Sequence, residues 1–137
     1  RNKNIFLIDE SYNSNPLSLE SAIKNFDLIN VKSSKKHLVI GDMLELGKYS
    51  KKLHIQISKV INLSSIGTVS VFGKAVKETY KKIKTEKRGI ILKEIPKIFD
   101  LIVNNLNNND YLMIKGSNST GLNKFVKILK RKKLNAI

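Results

Sequence analysis

The segment "IFLIDESYNSNPLSLESAIKNF", residues 5–26, contains the unit from which the fold is built. It begins with four apolar residues, continues through a polar stretch at residues 9–15, and ends in apolar residues spaced three or four apart. The short apolar run predicts a strand, and the wider spacing predicts a helix with one apolar face. Asn15 and Pro16 fit the helix start, because asparagine accepts from free amides and proline has no amide to leave unpaired.

The same unit recurs along the whole chain. Four further apolar runs predict strands at residues 38–40, 69–72, 90–92 and 111–114. Helical apolar patterns follow them at residues 53–61, 76–83, 95–106 and 122–129. The continuous apolarity of the strands predicts burial on both faces. We therefore predict an α/β domain with a mostly parallel sheet of five or six strands, joined by right-handed crossovers.

Composition bounds the function only loosely. The chain has 26 basic and 11 acidic residues, a formal net charge of +15, and no cysteine. A basic module that binds nucleic acid along residues 77–88 and 124–133 is therefore one alternative, and it requires the lysines to form one continuous face. All but three of the basic residues are lysine, whereas base reading and bidentate phosphate recognition favour arginine. We therefore favour a solvated basic surface over a nucleic-acid site. A further alternative is an interaction domain whose polar loops are merely exposed turns.

Three of the predicted strand-to-helix loops are unusually polar, at residues 9–15, 41–50 and 115–121. In open parallel sheets such loops meet at the carboxyl edge, where ligands bind. Capping explains Asn15 without a ligand, but it does not explain the other polar residues of the first loop. We therefore predict that the three loops share one edge of the sheet.

The second loop, "GDMLELGKYSKKLH", is not a phosphate loop. Five residues separate Gly41 from Gly47, where the motif requires four, and Tyr49 replaces the hydroxyl residue that coordinates magnesium. Taken alone, Asp42 and Glu45 are best interpreted as capping residues or partners of nearby lysines. His54, on the edge of an apolar helical face, is best interpreted as a packed, hydrogen-bonded residue.

The third loop, "KGSNSTG", leads into the last predicted helix. Its small residues allow close backbone approach to a ligand, and free amides at a helix start favour an anion, which can be a carboxylate or a phosphate. The alternative is a tight turn that uses Gly116, with Ser119 or Thr120 as the helix cap.

Together, "DESYNSNPLSLESAI", "VIGDMLELGKYSKKLH" and "IKGSNSTGL" resemble three motifs of the C-terminal domain of the Mur ligases. The similarity is to the branch of that family whose pattern is D-D-S-Y-N-A-N-P, then G-D-M-x-E-L-G, then K-G-S-R. It covers essentially the whole chain, residues 1–137, as one domain of a three-domain enzyme. The resemblance implies a Rossmann-like three-layer sandwich with helices on both faces of the sheet.

The resemblance also implies an activity. This branch joins D-alanyl-D-alanine to UDP-N-acetylmuramoyl-tripeptide in cytoplasmic peptidoglycan synthesis, through an acyl phosphate made with ATP and Mg²⁺. A central ATPase domain holds the phosphate loop and the metal ligands, so we expect no catalytic residue or metal ligand in this domain, and no activity without its partner. We expect no nucleic acid or membrane among its partners.

When the roles of the family's motif residues are carried over to this sequence, the resemblance implies nucleotide contacts in the first loop, at Glu10, Tyr12, Asn13 and Asn15. Glu10 stands where the family usually has a second aspartate, and Ser14 where it usually has alanine, a change that should matter little.

The other two motifs supply the expected residues of the cleft between domains and of the substrate site. These are Asp42, Glu45, Lys115, Gly116, Ser117 and Asn118. By analogy the third motif lies near the carboxylate of the dipeptide. Asn118 stands where the family usually has arginine, which removes a permanent positive charge.

Overall fold

The computed structural model describes residues 4–11, 14–31, 35–131 and 135–136. Within these ranges strands and helices alternate as the sequence predicts. The strands are β1 (Phe6–Glu10), β2 (Lys36–Gly41), β3 (Thr68–Phe72), β4 (Arg88–Leu92), β5 (Tyr111–Lys115) and β6 (Asn135–Ala136). The helices are α1 (Pro16–Leu28), α2 (Ser50–Asn62), α3 (Lys77–Lys82), α4 (Lys97–Asn105) and α5 (Leu122–Arg131).

The strands form one parallel sheet in the order β4-β3-β2-β5-β1-β6. Lys115, the last residue of β5, is in register with Glu10 of β1 and with Ile40 of β2. The three strands therefore end together, and the loops that follow them start from one edge. Among the described residues the sheet has six strands, because the short β6 pairs with the first two residues of β1.

The helices cover the sheet in two layers. One core cluster joins α1, α2 and the residues flanking α3 to one face of the sheet, through Ile23, Phe26, Ile61, Val76 and Ile83 among others. The second cluster joins α4 and α5 to the opposite face, through Ile98, Leu101, Leu122, Val126 and Leu129 among others. The predicted three-layer α/β sandwich is therefore confirmed.

The prediction that every strand is buried on both faces is wrong for β4. Ile90 and Ile91 are 40% and 41% exposed, and only Leu92 of the three apolar residues is buried. The physical reason is the position of β4 at the edge of the sheet, where it pairs with β3 alone. An apolar run indicates a strand, but it does not distinguish an edge strand from a central one.

The continuous lysine track that nucleic-acid binding requires is not formed. Residues 77–82 belong to the helix layer on one face, and residues 124–131 belong to the layer on the other. The intervening sheet separates the two segments, while Lys132 and Lys133 lie outside the described residues. The structure therefore contradicts this geometric requirement of the nucleic-acid alternative.

At the amino edge of the sheet, buried polar groups tie the strands together. Asp110, just before β5, accepts hydrogen bonds from the backbone amides of Lys35 and Asn107, each at 2.9 Å. The Nε2 atom of His37 lies 3.0 Å from the same carboxylate, and its Nδ1 atom lies 2.6 Å from the hydroxyl of Thr68. This network fixes the starts of β2, β3 and β5 relative to one another.

Among the described residues, no helix combines the length and apolarity that crossing a membrane would require.

Candidate functional site

The carboxyl edge of the sheet contains a topological switch point between β2 and β5. These strands are neighbours, but α2 after β2 and α5 after β5 pack on opposite faces of the sheet. The loops that follow the two strands therefore lead to opposite faces of the sheet. In open α/β sheets such a switch point is where ligands bind.

Two glycines leave room for the side chain of Leu122 at this switch point. A Cβ atom on Gly41, at the end of β2, would lie 2.9 Å from Leu122 Cδ1, and one on Gly116 would lie 2.5 Å from the same atom. The hydroxyl of Thr120 accepts from the Leu122 amide at 3.3 Å and donates to the carbonyl of Ser117 at 2.6 Å. Of the two cap residues that the sequence suggested for α5, the structure therefore has Thr120.

The hydroxyl of Ser117 lies where the three polar loops meet. Its Oγ atom is 3.4 Å from the carbonyl oxygen of Ser14 in the first loop and 3.4 Å from that of Asp42 in the second. Ser117 itself is buried. The prediction that the three loops share one edge is therefore confirmed.

In the first loop, the side chain of Asn15 caps α1. Its Oδ1 atom accepts from the backbone amide of Ser18 at 2.9 Å, and the backbone amide of Asn15 donates to Ser18 Oγ at 3.0 Å. Pro16 occupies the first helical turn. Capping therefore occupies the Asn15 oxygen, and only the Nδ2 group of this side chain is left to donate to a ligand.

Asp9 ties the first loop to the last helix. Its carboxylate accepts from the amide and the hydroxyl of Ser11, and it lies 3.1 Å from the ammonium of Lys130. Burial alone would raise the pKa of Asp9, but the hydrogen bonds from Ser11 and the charge of Lys130 outweigh it, so that the pKa lies below its usual value. Asp9 is therefore ionised, and each of its carboxylate oxygens has a partner within the protein.

Lys115 is the buried cation of the site. Its side chain is 3% exposed, and its Nζ atom lies 3.8 Å from Oε1 of Glu10. Burial lowers the pKa of Lys115, and the charge of Glu10 offsets part of that effect. Glu10 is about half exposed, so it can still turn a carboxylate oxygen to a ligand.

The carboxylate of Asp42 holds the turn that follows β3. Its Oδ1 atom accepts from the amide of Val76 at 2.7 Å. Gly73 in that turn has φ of 129°, and a Cβ atom there would lie 2.4 Å from the same oxygen. Asp42 therefore acts as a backbone cap, as the sequence suggested, but it caps a turn that is distant along the chain.

His54 fixes the second loop on α2. The amide of Met43 donates to His54 Nε2 at 3.0 Å, while His54 Nδ1 lies 2.7 Å from the carbonyl oxygen of Ser50. Because the amide must donate and the carbonyl must accept, the ring is neutral with its proton on Nδ1. The interpretation of His54 as a packed, hydrogen-bonded residue is confirmed.

Glu45 has a strained backbone at the tip of the second loop. Its φ is 61°, in the left-handed region that glycine adopts freely and that other residues adopt at a cost of about 1 kcal/mol or more. Its side chain is exposed. Backbone strain of this kind is often retained at functional positions.

Replacing Glu45 with glycine should therefore stabilise the domain while removing an exposed carboxylate. We expect Glu45→Gly to raise the free energy of unfolding by up to about 1 kcal/mol, because the strain is relieved. Urea unfolding followed by circular dichroism measures the change. Glu45→Ala is the control, since it removes the same carboxylate without relieving the strain. A loss of stability in the glycine variant relative to the alanine variant would contradict the argument.

Ser14 buries a hydroxyl group at the loop junction. The side chain is buried, and its Oγ atom has no hydrogen-bond partner among the residues that the structure describes. Burying an unpaired hydroxyl costs about 1–3 kcal/mol. We therefore expect Ser14→Ala to leave stability unchanged or raise it by about 1 kcal/mol, measured by thermal unfolding. A loss above about 1 kcal/mol would mean that the hydroxyl has a partner in the folded protein.

Three of the predicted site residues are not placed by these contacts. Tyr12 and Asn13 lie outside the described residues, and the side chain of Asn118 is likewise not described. Sequence reasoning missed the turn at residues 73–76, which contains none of the predicted site residues. The glycine-lysine pair in that turn was the available signal, but the link to Asp42 spans 34 residues and leaves no local pattern.

Comparison with known proteins identifies the family. The family described as Mur ligase, glutamate ligase domain, matches residues 1–118. The chain belongs to the Mur ligase domain family. The motif loops that meet at Ser117 thus belong to a Mur ligase domain, as the sequence resemblance implied.

Curated relatives of this Mur ligase domain are considerably longer than the chain. UDP-N-acetylmuramoyl-tripeptide--D-alanyl-D-alanine ligase of Buchnera aphidicola subsp. Acyrthosiphon pisum is 32% identical over 126 residues, which cover 92% of this chain and 27% of that protein. The Bacillus subtilis protein of the same name is 29% identical over 126 residues, covering 90% and 27%. The chain therefore spans about a quarter of the length of these relatives.

Solved structures share the fold of this Mur ligase domain. The MurF ligase of Thermotoga maritima, in complex with ADP, superposes with a TM-score of 0.76 at 22% identity, covering 96% of this chain and 30% of that one. A MurF structure from Acinetobacter baumannii gives a TM-score of 0.72 at 21% identity, covering 88% and 27%. At these identities the likeness establishes the α/β architecture.

Proposed function

We propose that this chain is the C-terminal domain of a three-domain, ATP-dependent ligase that joins D-alanyl-D-alanine to UDP-N-acetylmuramoyl-tripeptide. The observation that carries the proposal is the meeting of the three motif loops at Ser117. Curated relatives with this activity in their names match nine tenths of the chain, which supports the same assignment. The site would work in the cytoplasm, where nucleotide-linked precursors and ATP are available.

In this proposal the first loop faces the nucleotide. Glu10, Tyr12, Asn13 and Asn15 would contact the ribose and base of ATP bound to the central domain. Glu10 supplies a half-exposed carboxylate that can accept from hydroxyl groups, and Asn15 retains an amide donor beside its capping role. We assign Asp9 a structural role, because its carboxylate is paired with Ser11 and Lys130.

The second and third loops would position the attacking amine. Asp42 and Glu45 would border the cleft between the domains, and Lys115, Gly116, Ser117 and Asn118 would lie at its end nearest α5. Their contribution is orientation of the dipeptide toward the activated carboxyl group of the tripeptide. In well-oriented model reactions, positioning accounts for about 7–11 kcal/mol of the barrier.

We assign no ligand of Mg²⁺ to this domain. In the described ranges no three carboxylate or histidine side chains lie together as a metal site. Magnesium would enter with ATP on the central domain, where it would neutralise the transferring phosphoryl group. The partner surface of this domain is then the carboxyl edge of its sheet, facing the nucleotide.

The test is amine specificity in the full-length enzyme that contains this domain. We expect ADP release that requires both UDP-N-acetylmuramoyl-tripeptide and D-alanyl-D-alanine, with no replacement of the dipeptide by D-glutamate. Ser117→Val should lower kcat/KM by about tenfold or more, because the larger side chain separates the three loops. Ser119→Val, on an exposed neighbouring residue, is the matched control. Activity with D-glutamate and none with D-alanyl-D-alanine would refute the proposal.

A further inference from the structure

A second concave surface adjoins the loop junction. It has a volume of about 550 Å³ and lies between the second loop, the start of α2 and the turn that follows β3. Its charged lining residues are Asp42, Lys48, Lys51, Lys74 and Glu78. Asp42 belongs to both sites, because its carbonyl faces Ser117 while its side chain borders this cavity.

The two acidic residues of the cavity are already engaged. Asp42 accepts from the amide of Val76 at 2.7 Å, and Glu78 lies 3.4 Å from the ammonium of Lys81. Their charge is therefore partly offset by groups on the α3 side. An incoming anion would meet less repulsion from them than their number suggests.

The lysines of the cavity are less engaged. Lys51 and Lys74 are exposed, and neither makes an ion pair with any other residue that the structure describes. The ammonium of Lys48 lies 5.4 Å from the centroid of the Tyr49 ring. The cavity thus presents positive charge from three side chains, those of Lys48 in the second loop, Lys51 in α2 and Lys74 in the turn after β3.

The third loop offers less positive charge than its motif suggests. Lys115 is 3% exposed and directed toward Glu10, and Asn118 carries no charge. Lys48, Lys51 and Lys74 line the same cavity as Asp42. A negatively charged group held near Asp42 would therefore find its partners there.

We propose that the cavity between the second loop and the turn after β3 binds a small oxyanion, a carboxylate or a phosphate group, between Lys51 and Lys74. Ammonium groups on α2 and on the turn after β3 can approach one anion from two sides, and charge-assisted hydrogen bonds of this kind are stronger than neutral ones. Two sources can supply the anion, namely the free carboxylate of D-alanyl-D-alanine and the phosphates of a nucleotide. The first source rests on the proposed function, whereas the second requires only a phosphate ligand.

The experiment follows amide chemical shifts of the isotope-labelled chain during titration with pyrophosphate and, separately, with D-alanyl-D-alanine. The reporting amides are those of Gly47, Ser50 and Ala75, which line the cavity. We expect one of the two probes to produce saturable shifts at these amides at about 10 mM or below. The probe that does so identifies the source of the anion.

Matched variants separate this site from general attraction to a basic protein. Lys51→Gln with Lys74→Gln should weaken binding about tenfold. Lys124→Gln with Lys127→Gln removes the same charge from exposed positions on α5, across the sheet, and should change affinity less than about twofold. Equal weakening in both double variants, or no saturable shift with either probe, would overturn the proposal. Pyrophosphate binding in an enzyme without ligase activity would refute the proposed function and leave this site standing.

Discussion

Replacing Asp110 with alanine should lower the free energy of unfolding by about 3–5 kcal/mol, the largest single effect that we expect outside the apolar core. The carboxylate is buried and accepts from the amides of Lys35 and Asn107 and from His37. Its removal leaves the buried His37 ring and two partly buried backbone amides without an acceptor, and each unpaired group adds a cost of up to about 1–3 kcal/mol before relaxation. Urea unfolding followed by circular dichroism measures the difference.

Asp100→Ala is the matched control for this prediction. Asp100 is exposed on α4, and its carboxylate lies 3.6 Å from the ammonium of Lys97. Exposed pairs of this kind contribute at most about 1 kcal/mol, so this variant should be close to the parent in stability. If the two alanine variants lost similar stability, the amino-edge network would not hold the strands together as described.

Replacing Gly73 with alanine should cost about 2–3 kcal/mol and detach Asp42 from the turn after β3. The backbone at Gly73 has φ of 129°, which other residues rarely adopt, and the new Cβ would lie 2.4–2.7 Å from the Asp42 carboxyl group. The carboxylate must then move away, and the Val76 amide loses its acceptor. Hydrogen exchange at Val76 should accelerate together with the loss of stability.

Gly47→Ala separates backbone strain from steric conflict. Gly47 also has a positive φ, of 58°, but a Cβ atom there would have no neighbour within 4 Å. We expect this variant to lose only about 1 kcal/mol, from the left-handed backbone alone. The prediction for Gly73 would be wrong if both alanine variants had the same stability and the same exchange rate at Val76.

Local patterns in the sequence predicted most of the fold. The runs near Leu38 and Met113 and the helical face from Leu19 to Phe26 all lie in the elements expected of them, because each pattern reports on its own neighbourhood. The exposure of Ile90 and Ile91 was not predictable in this way, because it depends on the position of β4 at the edge of the sheet. The two-residue β6 is also nonlocal, because pairing with β1 defines it.

The loops that form the candidate site were predictable from the sequence, but the hydrogen-bond partners of their buried polar groups were not. Strand ends and helix caps are local, so the three loops and the role of Asn15 followed from spacing. The partners of the buried polar groups are distant along the chain, 34 residues for Asp42 and Val76 and 73 for His37 and Asp110. No single-sequence pattern encodes such pairs, and His37 and Asp110 therefore carried no signal of the network they form.

The position of Leu122 bears on how recombinant fragments of this protein should be cut. The matched family region ends at residue 118, and a fragment ending there would carry the first two motif loops but would be cut within the third, which runs to residue 121. It would lack the side chain whose Cδ1 atom packs against both Gly41 and Gly116. The ends of β2 and β5 would then face water at the switch point, so expression boundaries should extend through α5.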